Sequence, residues 1–194
     1  MARRNRPITE IAAGGVLYRI HATGREARFY GKRDGTWRWD DPAGCYGVLY
    51  VGLTRSGPFA ETLLRRPAEK AVVWSEIEKR RWAEFRTIET LHLADVHGKG
   101  LSFQGVAVAE VSGDHDSKTY PGAYARAQSI SAEVFATTDL DGIAYRSRLE
   151  PDQICVALFD RADHKIELLA EGKPIDRSWA EDLLESHGKH ILDF

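Results

Sequence analysis

An α+β fold is predicted from three features of the sequence. Short apolar runs of β type are spread along its whole length. Helical stretches fall between groups of them, and no regular βαβ alternation links the two. The chain has 194 residues, 43% of them apolar and 29% charged. That is enough to bury a core without disulfides or a structural metal, and one domain suffices for the length.

The elements follow in order. Residues 1–12 carry Arg3, Arg4 and Arg6 in a polar stretch without period and read as a flexible tail. Residues 13–194 read as a single domain. Residues 15–20 (GVLYRI) form a β-type run, and Asp41-Pro42-Ala43-Gly44 is a turn, since Pro presets φ and Gly accepts positive φ. Residues 47–53 (GVLYVGL) read as a buried strand. Ser56-Gly57-Pro58 leads into a helix over 59–65 with Glu61 in its first turn, where the helix dipole favours an acid. From Lys70 to Arg86, Val73, Ile77, Trp82 and Phe85 stand among alternating charges and predict an amphipathic helix. Residues 87–95 read as a strand followed by a turn. Pro121-Gly122 opens a helix through Ala127, Ile130 and Val134. Residues 141–147, 154–160 and 165–170 read as strands, and 179–187 as a short acidic helix.

Composition excludes several classes. Lys plus Arg is 27 against 29 for Asp plus Glu, which makes no general case for nucleic acid or an anionic membrane as partner. Two cysteines, Cys45 and Cys155, are too few for a disulfide scaffold and read as reduced thiols. The N-terminal stretch lacks the apolar segment of a signal peptide, and no run approaches the roughly 18 apolar residues of a membrane span. A cytoplasmic protein is expected, with a homodimer as the commonest assembly. The dinucleotide G-x-G-x-x-G, the Walker A loop, G-x-S-x-G and H-E-x-x-H are all missing, so no metal is expected. Asp114-His115-Asp116 reads as a polar loop tip.

Five side chains stand out by placement. Arg19 lies inside an apolar strand, where its permanent charge needs a carboxylate or a phosphate; a structural ion pair with Glu61 or another acid meets that need as well as a ligand does. Arg38 sits between Trp37 and Trp39. Tyr50 is in the middle of GVLYVGL and needs a hydroxyl partner when buried. Glu61 follows a Gly-Pro-Phe-Ala entry, and Ser147 is flanked by Arg146 and Arg148.

Taken in order, Leu17-Tyr18-Arg19-Ile20, Trp37-Arg38-Trp39-Asp40-Asp41-Pro42, Gly47-Val48-Leu49-Tyr50, Phe59-Ala60-Glu61-Thr62, Asp141 to Arg148 and Cys155 to Asp160 resemble the RES domain, over about residues 15–161. The resemblance implies an ADP-ribosyltransferase-like mixed α/β core, two packed sheets around an NAD cleft. It also implies a bacterial toxin neutralised by an Xre-type helix-turn-helix antitoxin. NAD is then a substrate, cleaved by phosphorolysis or hydrolysis, with phosphate as a co-substrate in the first case. The family's arginines fall on Arg19 and Arg38, its tyrosine on Tyr50, its glutamate on Glu61 and its serine on Ser147.

Those residue types suit the chemistry. Breaking the nicotinamide–ribose bond develops positive charge on the sugar, which one carboxylate, Glu61, can stabilise. Nicotinamide leaves a cationic ring as a neutral molecule, so no general acid is needed. Arg19 and Arg38 offer fork-shaped donors to a diphosphate. Tyr50 offers a ring face to nicotinamide and a hydroxyl to ribose, and Ser147 a donor to a ribose hydroxyl or the carboxamide. Two further readings remain: protein ADP-ribosylation, and a noncatalytic partner-binding module using residues 70–86 and the acidic C-terminal helix.

Overall fold

Strand residues alternate between two apolar environments, and that alternation sets the architecture. Leu49, Val51, Ala144, Val156 and Leu158 share one core with Leu17. Their neighbours Val48, Ile143, Tyr145, Cys155, Ala157 and Phe159 share another with Ala127, Ile130 and Val134 of a helix. The computed structural model describes residues 6–112 and 122–193. Asp114-His115-Asp116 and Pro121 lie outside them.

The described strands are β1 (Ile8–Ile11), β2 (Val16–Ala22), β3 (Val48–Gly52), β4 (Ala71–Val73), β5 (Arg80–Thr87), β6 (Leu91–Val96), β7 (Gly142–Arg146), β8 (Ile154–Phe159), β9 (Ile166–Pro174) and β10 (His190–Leu192). The helices are α1 (Ser56–Leu63), α2 (Trp74–Glu78), α3 (Lys99–Gln104), α4 (Val108–Ser112), α5 (Ala125–Thr137) and α6 (Arg177–Ser186). None is long and apolar enough to cross a membrane.

The fold class is α+β, as expected. Eight strands run in the order β1-β6-β7-β8-β3-β2-β5-β9, and β10 pairs with β4 in a small parallel sheet. The large sheet is mixed: β6 and β7 are parallel and the other neighbours antiparallel. Its continuity hangs on one registered pair, Tyr18 opposite Gly52, between β2 and β3. The expected two packed sheets are therefore two blocks, β1-β6-β7-β8-β3 and β2-β5-β9, joined at a single point. Phe85 of the second block shares a core with Leu91 and Leu93 of the first, so the blocks face each other.

Four expectations are corrected. Residues 8–11 are not a tail but an edge strand paired with β6, with Ile8 opposite Ala94 and Ile11 opposite Leu91. Residues 70–86 are not one helix: β4, α2 and β5 divide them. The charges on β5 are spread along a strand and meet partners across it, Arg86 with Glu167 and Glu84 with Lys173. Residues 87–95 contain the end of β5, a turn and most of β6, rather than a strand followed by a turn. Glu61 is in the second turn of α1, which begins at Ser56.

Two features seat α1. Phe59, Ala60 and Leu64 pack against Ile20, Ile77, Trp82, Ala180 and Leu184. The buried Lys189 then donates from Nζ to the carbonyls of Arg66, Pro67 and Glu69, just beyond the helix. At its other end α1 lies so close to β3 that a Cβ on Gly52 would fall against Pro58 Cδ and 2.7 Å from Cγ. Gly52→Ala is expected to destabilise the fold by about 1–3 kcal/mol through overpacking. Urea unfolding checks this; an unchanged midpoint would contradict the close approach.

Candidate functional site

Beyond the Tyr18–Gly52 pair, β2 and β3 separate and a cleft opens. The guanidinium of Arg19 stands in the gap. Its Nη1 donates to the Tyr50 carbonyl at 3.1 Å and its Nη2 to the Phe29 carbonyl at 3.3 Å. Nearby the Val48 N–H donates to the Tyr30 carbonyl at 3.0 Å. The expected ion pair with Glu61 or another acid is not formed: among the described residues Arg19 has no carboxylate partner, and its buried Nε has no hydrogen-bond partner. Burial pushes its pKa down to about 10, so it stays cationic at neutral pH. A buried, uncompensated cation of this kind is a site that an anion stabilises.

Glu61 faces the same cleft from α1. Its Oε1 accepts two hydrogen bonds from behind, from Ser147 Oγ at 2.8 Å and the Arg148 N–H at 2.9 Å. Oε2 makes no hydrogen bond among the described residues and is left for the cavity that Glu61 lines. Ser147 is buried, and its oxygen also accepts from the N–H groups of Leu149 and Glu150. Its one proton is thus committed to Glu61. The expected donation from Ser147 to substrate is replaced by a positioning role, because the serine stands behind the carboxylate and does not line the cavity.

Tyr50 shows a similar displacement. Its hydroxyl donates to Asp40 Oδ1 at 2.9 Å and accepts from the Trp39 N–H at 3.0 Å. The hydroxyl role toward ribose is therefore taken, and the ring face is what Tyr50 offers the cavity. Asp40 Oδ2 accepts from the Trp37 N–H at 2.9 Å, closing the loop that carries Arg38. Helix α5 clamps the same loop: Gln128 donates to the carbonyls of Gly35 and Trp37, and Ser131 to that of Trp39. Arg38 then projects into the cavity with its guanidinium 5.7 Å from the Tyr124 ring and no acid partner among the described residues.

The cavity encloses about 700 Å³. Seven arginines line it against two acids, Glu26 and Glu61, so its field attracts anions. Four of the five candidate residues, Arg19, Arg38, Tyr50 and Glu61, come together there, with Ser147 one layer behind. Sequence reasoning missed Arg65, whose guanidinium lies 4.7 Å over the exposed Trp37 ring, and it missed Tyr124 and His21. Trp37 and Arg148 were visible only as flanking residues of the motifs. Cys155 also lines the wall, but burial holds its thiol well above the usual range, so it is not a thiolate nucleophile. Both cysteines are free.

Two outcomes follow for the Tyr50–Asp40 pair. Tyr50→Phe leaves a buried carboxylate oxygen and the Trp39 N–H without their partner and should destabilise by about 1–3 kcal/mol. Burial is the dominant influence on Asp40 and raises its carboxyl above the ordinary value, against the lowering effect of its hydrogen-bond donors. Between the ordinary and raised values the folded chain binds more protons than the unfolded one. Asp40 should therefore make stability fall as pH rises through that window and add no slope above it. Denaturant unfolding at several pH values, on wild type and Asp40→Asn, checks this. An equal slope in both would contradict it.

Comparison with known proteins bears on the fold and the family. No curated protein sequence matches the chain significantly. Among solved structures, the crystal structure of the M. tuberculosis MbcT–MbcA toxin–antitoxin complex contains a similar chain. The TM-score is 0.66 at 12% identity, covering 91% of this chain and 92% of that one. The model of the RES domain matches residues 16–180. That span takes in the β2–β3 opening, Arg19, Arg38, Tyr50, Glu61 and Ser147, and on it the chain belongs to the RES domain family.

Proposed function

We propose that the chain is a toxin-like enzyme that breaks the nicotinamide–ribose bond of NAD. The observation that carries the reading is one cavity holding a single rear-anchored carboxylate together with the guanidinium groups of Arg19 and Arg38, which lack acid partners among the described residues. A diphosphate supplies the missing charge for Arg19 and Arg38. The nicotinamide ribose then lies toward Glu61, whose unbonded Oε2 faces the developing sugar cation. The C1′–N bond breaks with both electrons passing to the pyridinium nitrogen, so nicotinamide leaves neutral and no proton donor is required. Ser147 and the Arg148 N–H keep Glu61 aimed, and the Tyr50 ring provides a flat wall for nicotinamide.

Phosphorolysis is favoured over hydrolysis. Arg65 lies just past the end of α1, its Nε donating to the Glu61 carbonyl, and with Arg38 it supplies more positive charge in the cavity than one diphosphate uses. A phosphate oxygen attacking C1′ would give ADP-ribose 1-phosphate with no base needed. The likeness to a toxin found with its antitoxin supports a partner of that kind for this chain, of Xre helix-turn-helix type, covering the basic cavity.

Nicotinamide release from NAD, followed by chromatography with and without phosphate, tests the reading. Glu61→Gln should lower kcat by about a hundredfold or more. Ser147→Ala, which removes one of two donors to the carboxylate, should lower kcat by about tenfold while KM is kept. No release by wild type, or equal release by Glu61→Gln, overturns it. Label from NAD found on protein rather than in small molecules would point to ADP-ribosylation. Growth arrest on expression should vanish with Glu61→Gln, and the antitoxin complex should release nicotinamide more slowly than the free chain.

A further inference from the structure

The cavity wall also holds a second group of nitrogens without hydrogen-bond partners among the described residues, on β2 and β5. Glu61 is anchored on Ser147 and Arg148, at the β7–β8 side. His21 is two residues beyond Arg19 on the same face of β2, about 7 Å along the strand, and is 9% exposed. Its Nδ1 lies 2.9 Å from the Arg25 carbonyl, which can only accept, so the ring proton sits on Nδ1 and fixes the ring. Nε2 is left buried, without a partner, in the wall of the cavity. Arg80 stands opposite Ala22 in the β2–β5 ladder. It lines the same cavity, and its Nε is also buried without a partner. The Arg80 guanidinium makes no hydrogen bond or ion pair among the described residues. Arg25 adds a second positive group on the exposed part of the wall, with the acid Glu26 beside it, and Glu76 is close enough to Arg80 to feel its charge.

In the reading above the diphosphate takes Arg19 and Arg38 and an acceptor phosphate sits by Glu61, so neither makes use of these groups. We infer that His21, Arg80 and Arg25 form a subsite for a phosphomonoester on the adenosine ribose, so that NADP is a better substrate than NAD. The inference rests on the glycosidic-cleavage reading for its catalytic consequence but not for binding. With Nδ1–H tied to a carbonyl, Nε2 is an acceptor for the P–O–H of a phosphomonoester. Arg80 supplies a charge-assisted donor to its anionic oxygens.

Calorimetric titration of the full Glu61→Gln chain with AMP and with adenosine 2′,5′-bisphosphate isolates the added phosphate. The bisphosphate should bind about tenfold or more tightly, as expected for one charge-assisted contact. In wild type the ratio of kcat/KM for NADP to that for NAD should exceed one. It should fall by about tenfold in Arg80→Gln and also fall in the exposed, structurally undemanding Arg25→Ala. Equal affinity for the two nucleotides in the Glu61→Gln chain overturns the subsite. So does an Arg80→Gln variant that raises the half-saturating concentration of inorganic phosphate while leaving the NADP to NAD ratio alone. If wild type cleaves neither dinucleotide yet the bisphosphate binds preferentially, the subsite stands and the glycosidic reading falls.

Discussion

One guanidinium holds open the place where the sheet would otherwise close. Between β2 and β3 the ladder consists of a single registered pair, and the Tyr50 carbonyl beyond it is satisfied by Arg19 rather than by a strand. A backbone carbonyl left unpaired in a core is costly, and so is a buried cation. Each relieves part of the other's burden here. Arg19 still lacks a counter-charge, and this residual debt makes the cleft a place for anions rather than a void.

Around that opening the protein arranges its polar groups in two layers. Those facing the cavity, Arg19, Arg38 and Glu61 Oε2, are left incompletely satisfied. Those one layer back, Ser147, Asp40 and Gln128, have their hydrogen bonds committed to carboxylate, hydroxyl and carbonyl groups of the inner layer. Such a layout holds the geometry before any ligand arrives, so that ligand binding orders little else. Helix α1 joins both tasks. Its apolar side packs into the third core cluster while Glu61 turns toward the cleft.

The strands at the centre of the sheet were legible from sequence because β3, β7 and β8 are buried on both faces and read as continuous apolar runs. β5 was not. Arg80, Arg81, Glu84 and Arg86 alternate with Trp82, Ala83 and Phe85, and the pairing with β9 shifts register between Trp82 and Phe85. The disturbed period imitates a helix. β1 was invisible because four residues carry little pattern, and its partner β6 lies more than eighty positions away. At the site, residue types were legible through the family resemblance, but the allocation of protons was not. Whether Tyr50 and Ser147 meet ligand or protein depends on Asp40 and Glu61, and only the folded chain brings these pairs together. His21 carried no signal at all, since a histidine in a strand gives no hint of which nitrogen is tied down.

Lys189 reaches back 123 positions to the carbonyl of Arg66. While the chain is being made, the carbonyls of residues 66, 67 and 69 after α1 lack the cation that gathers them until that lysine has left the ribosome. At ordinary rates of translation the wait is on the order of ten seconds. Over that interval the turn beyond the Glu61 helix lacks its clasp, so the seat of the carboxylate is completed only when nearly the whole chain has been made.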